Sequence, residues 1–557
     1  MRIGLFAGVA VAGFVIGLAE PSRSADEQVV DALTLSMICG GDADSSAGST
    51  PSAAEAPPIL RPGFGNGGFT ISTGEAEAQR WFSHGVQLAQ AFAHEDAKAA
   101  FKEAARRDPS CAMCVWGQAF AEGPTINYGI SAEERARALH LAIRAQQLGT
   151  GATAKEKRLL AAMVRRYQRS GGDAAYAADM VAIARTWPDD DALQVLAAEA
   201  LMDTGKTPRV READSLLERV LARSPDHVGA IHFYIHSSEW IGAGGKAEPY
   251  ADRLGTLAPA ASHLIHMPSH TYYVVGRYRE AGRVNLAAIA VDTQRMKADG
   301  AATGWKIPYY GHNVRFAVGG AMMAGDAEAA LAIADLYAGV PVEVAEKQPW
   351  MQASAGAAWF ALGRFGDPDR VLAMAGPGDR LPLARALWRY GRGEALARKG
   401  DARGVLAEAA ALTPTSREMA AYRKGGTTAP TLVLIAHETL LGRAAMLEGR
   451  YGDAAAAFRK AAAKQEKVFG FGGDPPIWWY PARRSLAAAL LAGGRAEEAR
   501  VEANAVLAKW PKDPMSLLVL SRAEAALGHQ AAATDALARA RAGWSGADVE
   551  GLALGGI

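Results

Sequence analysis

The amino-acid sequence predicts an all-α fold, a superhelical solenoid of about ten to twelve stacked helix pairs over residues 76–545. Composition is the first observation behind this prediction, because alanine is abundant, aromatic residues make up only 8% of the chain, and such a mixture favours helix. The second observation is a repeat of 34 residues, which separates Gly494 from Gly528 and Ala499 from Ala533. No stretch shows the strict alternation of polar and apolar residues that would indicate a half-buried strand.

The period of 34 residues is that of tetratricopeptide repeats, in which each repeat is an A helix, a turn and a B helix. The same turn recurs as "GRYREA" from Gly276, "GRFGDP" from Gly363 and "GRYGDA" from Gly449. One helix pair cannot bury its apolar face alone, so successive pairs must stack. We expect the A helices to line the concave surface.

The two ends of the chain differ in composition from the repeats. Residues 1–24 combine Arg2, an apolar run over 4–18 and small residues before Ala25, which predicts a cleaved signal peptide and a periplasmic or secreted protein. An uncleaved anchor is the alternative, but about 15 apolar residues are short for a membrane span. Residues 25–75, rich in Ser, Ala, Gly and Pro, are expected to be flexible, and residues 546–557 to form a tail.

The charge balance excludes some partners. The chain has 60 Lys and Arg against 59 Asp and Glu, so nothing electrostatic favours a nucleic acid or stable insertion at an anionic membrane. A small-molecule substrate, a peptide or a protein in the groove is the expected partner.

Histidines are concentrated in two repeats. Five of the twelve histidines lie between residues 232 and 270. His232 and His236 in "AIHFYIHSSEW" precede His266 and His270 in "ASHLIHMPSH" by 34 residues each, so the two pairs occupy equivalent positions on consecutive A helices. Within each pair the spacing of four residues places both imidazoles on one face. Because packed helices lie about 8–10 Å apart, the four rings should form one grid.

Further residues extend this grid. His263 precedes His266 by one turn, and Glu239 follows His236 by three residues. His312, in "YYGHN", is expected to face the same groove one repeat later, while His94 is a weaker candidate because it lies several repeats away. Pro268 stands inside the histidine stripe and must either begin a helix or bend one.

We interpret the cluster as a transition-metal site with His232, His236, His263, His266 and His270 as ligands and with Glu239 and His312 as candidate catalytic residues. Imidazole-rich sites suit copper, iron or zinc, and an all-histidine set in an exported protein favours copper or iron over zinc. Metal binding should weaken as the pH falls through about 6.5, the ordinary pKa of an imidazole. The alternative is a set of structural histidines bonded to backbone and acidic groups.

Two other motifs leave alternatives open. Cys111 and Cys114 in "CAMCVWG" could form a disulfide, pack as thiols or bind a soft metal, and Cys39 makes the cysteine count odd. The interruption "DPPIWWYP", with Pro475, Trp478 and Tyr480, could plug the space between repeats or bind a ligand.

The motifs "DPSCAMCVWGQAFAEGPTIN", "HFYIHSSE", "LIHMPSHTYYVVGRY", "YYGHN" and "PPIWWYPARRSL" resemble those of a group of exported bacterial tetratricopeptide proteins, mostly of unassigned activity. The resemblance covers residues 78–545 and implies the fold. Sequences of this type usually carry Asn where Thr125 stands here.

Two functions therefore compete. The first is a metal-dependent protein, in particular a copper- or iron-dependent oxidoreductase, with the histidine cluster as its centre. The second is a scaffold without catalysis that holds a peptide or protein partner in its concave groove.

Overall fold

The computed structural model describes residues 58–168, 171–300, 304, 307–337, 340, 342–347, 349–412, 428–470, 477–546 and 548–557. Over these residues the fold is all-α and contains no β-strand, as the sequence predicts. The helices of the first half are α1 (Ala76–Gln90), α2 (His94–Arg107), α3 (Ala112–Ala121), α4 (Ala132–Leu148), α5 (Ala154–Tyr167), α6 (Asp173–Thr186), α7 (Asp191–Met202), α8 (Thr207–Arg223), α9 (Val228–Trp240), α10 (Glu248–Leu257), α11 (Ser262–His266), α12 (Pro268–Val275) and α13 (Tyr278–Ala298).

The second half continues in the same way. Its helices are α14 (Tyr310–Ala324), α15 (Ala327–Leu336), α16 (Val342–Lys347), α17 (Pro349–Phe365), α18 (Pro368–Ala373), α19 (Pro382–Arg398), α20 (Ala402–Ala410), α21 (Thr428–Leu447), α22 (Tyr451–Phe469), α23 (Arg483–Ala492), α24 (Ala496–Leu507), α25 (Pro514–Ala526) and α26 (Gln530–Gly543). Short 3₁₀ turns occupy Gly149–Gly151, Gly244–Ala247 and Leu554–Gly556.

The described helices arrange as twelve A/B pairs, with α11 and α12 together acting as one A helix and α16 as an extra turn before α17. The A helices of the middle repeats are buried all round, as α9 illustrates, since Val228–Ser238 are all buried. Small residues allow close packing of the B helices, and the register residues Ala499 and Ala533 are 0% and 4% exposed on α24 and α26. The tetratricopeptide-like solenoid is therefore confirmed.

The turn between A and B helices has one recurring conformation. In most of these turns a left-handed conformation is found at the residue before the N-cap of the B helix or, at Gly242, before the 3₁₀ turn that leads into it. Glycine adopts this conformation without the steric penalty of a Cβ. Glycine holds this position, with φ between 63° and 81°, in eight turns: Gly205, Gly242, Gly276, Gly325, Gly400, Gly449, Gly494 and Gly528. The first repeat departs from the rule, because Phe92 stands there with φ of 55°.

An extended segment, residues 58–73, runs across the first repeats and is called the strap below. The side chain of Asn66 donates to the Asp226 carbonyl at 2.9 Å and accepts from the Val228 amide at 3.0 Å. Phe64 and Ile71 are buried. Apolar anchors and hydrogen bonds to backbone groups of α9 and the turn before it thus attach the strap to the repeats, within the part of residues 25–75 for which the sequence led us to expect a flexible segment. Residues 25–57 lie outside the described residues, as does the predicted signal peptide.

The repeats that carry the histidines also contact both ends of the described chain. Arg295 on α13 pairs with Asp96 on α2 at 2.7 Å. On the other side, the Ser545 amide donates to the Ala324 carbonyl at 2.7 Å, and the Tyr273 ring lies 6.3 Å from that of Trp510. The middle repeats are thus enclosed by parts of the chain that are remote in sequence.

The remaining motifs have structural contacts. Cys111 and Cys114 form a disulfide at the start of α3, which decides between the alternatives for this pair. Trp478 and Tyr480 are fully buried, and Trp478 packs against Phe360 and Tyr390 with ring centroids 5.2 and 4.9 Å away. Through these contacts Trp478 fills the space between repeats, as one of the two alternatives for this motif requires. Pro475 lies outside the described residues.

The C-terminal residues do not form a loose tail. Ile557 is 1% exposed, and its carbonyl accepts a hydrogen bond from Ser485 at 2.7 Å. None of the helices among the described residues combines the length and apolar character needed to cross a membrane.

Candidate metal centre

Helix α9 presents the first histidine pair. The ring of His227 caps its N-terminus by accepting from the Ala230 amide at 3.2 Å. His232 and His236 then follow one turn apart and are 0% and 1% exposed. Their ring centroids are 5.2 Å apart, as the i, i+4 spacing requires.

The second histidine stripe is interrupted by Pro268. Helix α11 carries His263 and His266 and ends before Met267, and α12 begins at Pro268 and carries His270. Proline has no amide hydrogen to continue the helical ladder, and the His270 amide bonds the Met267 carbonyl at 3.2 Å in a tighter turn. The break nevertheless keeps His266 and His270 on one side, with their Nε2 atoms 3.0 Å apart.

Helix α14 brings in His312 from the next repeat. Its N-cap is Tyr309, which has φ of 65° and is, with Phe92, one of two non-glycine residues with positive φ among the described residues. His312 Nε2 lies 3.0 Å from His266 Nε2. Asp292 on α13 fastens this arrangement, because its carboxylate accepts from Asn313 at 3.2 Å. Burial raises the pKa of Asp292 to about 6, against the effect of hydrogen bonds from Ser262 and Asn313.

The six histidines form two groups of three. The N-terminal trio consists of His232, His236 and His263, and the C-terminal trio consists of His266, His270 and His312. Within each trio one ring nitrogen per residue lies within 4.8 Å of the others, so one metal ion could contact all three after small movements. A third possible group, His236, Glu239 and His270, lies across the boundary between the trios.

Oxygen atoms orient three of the rings through Nδ1. His232 Nδ1 lies 2.6 Å from the Gln90 carbonyl, His266 Nδ1 lies 2.6 Å from Asn285 Oδ1, and His270 Nδ1 lies 2.9 Å from Glu239 Oε2. The Asn285 amide group donates to the Ala281 carbonyl at 2.7 Å, which identifies Oδ1 as the atom that faces His266. Carbonyl and carboxylate oxygens only accept, so each of these Nδ1 atoms carries the hydrogen.

This assignment leaves Nε2 without a hydrogen in the neutral rings of His266 and His270. Two lone pairs then face each other across 3.0 Å, which is repulsive unless a cation lies between them. His312 can donate to only one of them. An acceptor on Nδ1 and a lone pair on Nε2 is also the usual state of a metal-bound histidine.

Five of the six rings disfavour a proton. Burial lowers the pKa of His232 to about 3, although the hydrogen bond to the Gln90 carbonyl opposes this shift. Burial, together with repulsion from neighbouring imidazoles, also lowers the pKa of His236, His263, His266 and His312 well below the usual value. These four rings and that of His232 are therefore neutral at pH 7, the state in which imidazole binds metals.

Each trio has its own phenylalanine. Phe316 lies 4.7, 4.9 and 5.0 Å from the rings of His266, His270 and His312. Phe92 lies 4.4 Å from the His232 ring and stacks on His263 at 4.9 Å. These rings exclude water from the histidine nitrogens.

The structure brings together all seven residues predicted for the site. His232, His236, His263, His266 and His270 line two adjacent positions, as the sequence interpretation requires of ligands. Of the two candidate catalytic residues, His312 completes the C-terminal trio and Glu239 orients His270, so both are placed to support a metal. His94 lies outside the trios, and its ring stacks on that of Phe92 at 5.5 Å.

Sequence reasoning missed the residues that surround the histidines. Phe92 and Gln90 belong to the first repeat, far from the cluster in sequence, and no spacing pointed to them. The same holds for Asn127 of the second repeat, which donates to the hydroxyl of Tyr309, the residue beside His263, at 3.1 Å. Asn285 lies on a B helix, where an isolated asparagine carries no motif. The one available signal was Phe92 itself, which stands where other repeats have glycine.

Comparisons with known proteins do not identify a family for this chain. No known protein-family model matches it, and no curated protein matches it. Among solved structures, the human IFIT1 dimer with m7Gppp-AAAA aligns over 77% of this chain and 90% of its own, at 13% identity and a TM-score of 0.31. Yeast Tom70 aligns over 82% of this chain and 90% of its own, at 12% identity and a TM-score of 0.30. Similarity at this level says nothing about ligands or activity.

Proposed function

We propose that this protein is a copper-dependent oxidoreductase with one copper ion in each histidine trio. The Nε2 atoms of His266 and His270, which face each other at 3.0 Å, carry this proposal, because a metal ion between two such atoms would be bound by both while burial lowers the pKa of His266. Six imidazoles that converge on two adjacent positions fit a metal pair better than one metal.

The charge of the ligand set favours copper over iron. Imidazoles are neutral, and Glu239 is the only carboxylate in the three possible ligand groups among the described residues. A buried divalent ion would keep much of its charge uncompensated, whereas cuprous copper carries a single charge. Non-haem iron sites commonly include a carboxylate ligand, and imidazole suits copper well.

Bound copper would supply one-electron oxidation and reduction at two neighbouring positions. The chain's own residues supply orientation, since Asn285, Glu239 and the Gln90 carbonyl hold three rings in the tautomer that offers Nε2. Phe92 and Phe316 exclude water, so that an oxidised or reduced metal would meet only a molecule admitted to the site. The apolar segment at residues 4–18 favours a periplasmic or secreted location for this activity.

The direct experiment is metal analysis of the purified chain after it is loaded with copper under reducing conditions at pH 7 and desalted. We expect two copper ions per chain. The matched control is His529→Ala, which removes a half-exposed histidine that pairs with Glu524 at 2.6 Å in the last repeat and should leave the copper content unchanged. Less than one metal ion per chain for copper, iron and zinc alike would contradict the proposal.

The alternative of a scaffold that holds a peptide at these histidines has less support. Five of the six rings are at most 5% exposed, so an extended peptide could not reach them without opening the repeats. Other parts of the concave surface remain available to a protein partner.

A further inference from the structure

The N-terminal trio is closed by two residues with strained backbones. Phe92 and Tyr309 are the only non-glycine residues with positive φ among the described residues, and both rings lie on His263, at 4.9 and 4.4 Å. Their own rings lie 6.0 Å apart. Strained conformations of this kind cluster where a binding site needs them.

Phe92 is unusual in a second way. In eight equivalent turns glycine takes the left-handed position, so the fold itself does not need a side chain there. The turn at Phe92 keeps the same hydrogen bonds, with the Ala93 amide on the Leu88 carbonyl at 2.9 Å. The turn does not require a phenyl ring at this position. The ring is therefore explained by its contacts with the rings of His232 and His263.

Polar atoms without a partner lie beyond these two rings. Asn127 is 3% exposed and donates to the Tyr309 hydroxyl at 3.1 Å, but its Oδ1 atom is buried without a hydrogen bond. His94 stacks on Phe92, and its buried Nε2 atom also has no partner. His94 and Tyr309 are half-buried residues, whereas Phe92 is 2% exposed, so these two residues lie between the surface and Phe92.

We propose that Phe92 is a gate, and that the space which its ring now fills binds a small aromatic molecule with a hydroxyl group. The space is bounded by ring faces of His263, His236 and Tyr309, which favours a flat ring. Asn127 Oδ1 accepts the hydroxyl hydrogen, with His94 Nε2 as a second polar contact. Binding of the molecule does not depend on the proposed function. Its reaction does, because the molecule would then meet the metal held by the N-terminal trio.

The loop that carries Asn127 is itself well fixed. Thr125 Oγ1 accepts from the Asn127 amide at 3.1 Å, and the Thr125 amide donates to the Tyr128 carbonyl at 3.0 Å. Arg166, which pairs with Asp203 at 2.6 Å, donates to the Pro124 carbonyl at 3.0 Å. Asn127 is thus held at the edge of the gate by buried contacts, as a specificity-determining residue should be.

The test uses the full chain without metal, so that it does not depend on the copper proposal. Phe92→Gly introduces the residue found in the eight equivalent turns and removes the phenyl ring, so that the space filled by the ring becomes empty. We expect it to bind 4-fluorophenol at least tenfold more tightly than the wild type, measured by ¹⁹F NMR titration. Phe92→Leu is the matched control. Its side chain still occupies the space of the Phe92 ring, so this variant should bind 4-fluorophenol as weakly as the wild type. Circular dichroism checks that each variant is folded.

The hydroxyl group is tested by comparing 4-fluorophenol with 4-fluorotoluene. Phe92→Gly should prefer the phenol by about tenfold, and the double variant Phe92→Gly/Asn127→Ala should lose that preference. Equal binding of both probes to a folded Phe92→Gly would overturn the substrate class, and binding of neither would overturn the gate. Phenol binding to a chain that takes up no copper, iron or zinc would instead reject the metal centre and keep the pocket.

Discussion

The C-terminal trio and the N-terminal trio come from the same solenoid but are held differently. In the C-terminal trio, side chains of Asn285 and Glu239 fix the rings of His266 and His270. In the N-terminal trio only His232 has such a contact, with the Gln90 carbonyl, while both ring nitrogens of His236 and the Nδ1 atom of His263 have no hydrogen-bond partner. One trio is therefore preorganised by hydrogen bonds, and the other is enclosed mainly by aromatic rings.

This difference predicts that the two trios differ in metal affinity and in access to external molecules. Ligands that are fixed before the metal arrives lose less conformational entropy on binding, so the C-terminal trio should hold its metal more tightly. The N-terminal trio, with freer rings and a gate above it, should be the position at which an external molecule binds. Three predictions test this comparison.

Replacement of one ligand in each trio should have the largest effect. His266→Ala should remove the tightly held metal and leave one weakly held ion, so that the copper content after extensive desalting falls close to zero. His263→Ala should lose only the weaker metal and retain about one copper ion per chain. Metal analysis of both variants is the measurement. If both retain the same amount, the two trios do not differ in affinity.

Acid should destabilise the metal-free protein strongly. The folded pKa of His232 is about 3, below the ordinary 6.5, so the unfolded chain binds more protons between these values. Stability is therefore complete above pH 6.5 and falls as the pH is lowered, by about 2 kcal/mol at pH 5 for His232 alone. Four further histidines of the cluster have a lowered pKa and act in the same direction, as do His84, His94 and His227 outside it.

Thermal unfolding by circular dichroism at pH 7 and pH 5 measures this loss. The copper-loaded protein should keep more of its stability than the metal-free protein, because bound metal competes with the protons. Because the pKa values of these histidines are low in the folded protein, their protonation near pH 6.5 should not release the metal. We expect the metal to be released only when acid unfolds the protein, at a lower pH than the ordinary imidazole pKa predicts. Identical unfolding temperatures at both pH values would contradict the burial argument.

The smallest effect is expected at a residue that orients a ligand. Asn285→Ala removes the acceptor for His266 Nδ1 and should weaken metal binding in the C-terminal trio by about 10–100-fold. Binding in the N-terminal trio should not change. Asn285→Asp keeps an oxygen acceptor and should retain most of the affinity. A competition titration with a copper chelator distinguishes these cases, and an equal loss in both variants would assign Asn285 a packing role.

The sequence predicted the fold and the grouping of the histidines because both depend on short-range periodicity. The 34-residue register located the helix pairs, and the same register placed His232 beside His266 and His236 beside His270. It did not predict Phe92, Asn127 or Gln90 at the site, since their approach depends on how far the solenoid curls over many repeats. Nor did it predict the contacts of the strap, because its glycines and serines resemble a linker and its two buried hydrophobic residues, Phe64 and Ile71, form no periodic pattern.

The strap also has a consequence for the order in which this protein assembles. Asn66 finds its partners at Asp226 and Val228, about 160 residues later in the chain. Solenoids usually grow by adding each new repeat to its neighbour, and such local contacts form quickly. Here a segment synthesised early must wait until the first histidine helix has left the ribosome before it can be fastened. The fastening of the strap is therefore a late, long-range event, which cannot occur until the start of α9 is available to receive Asn66.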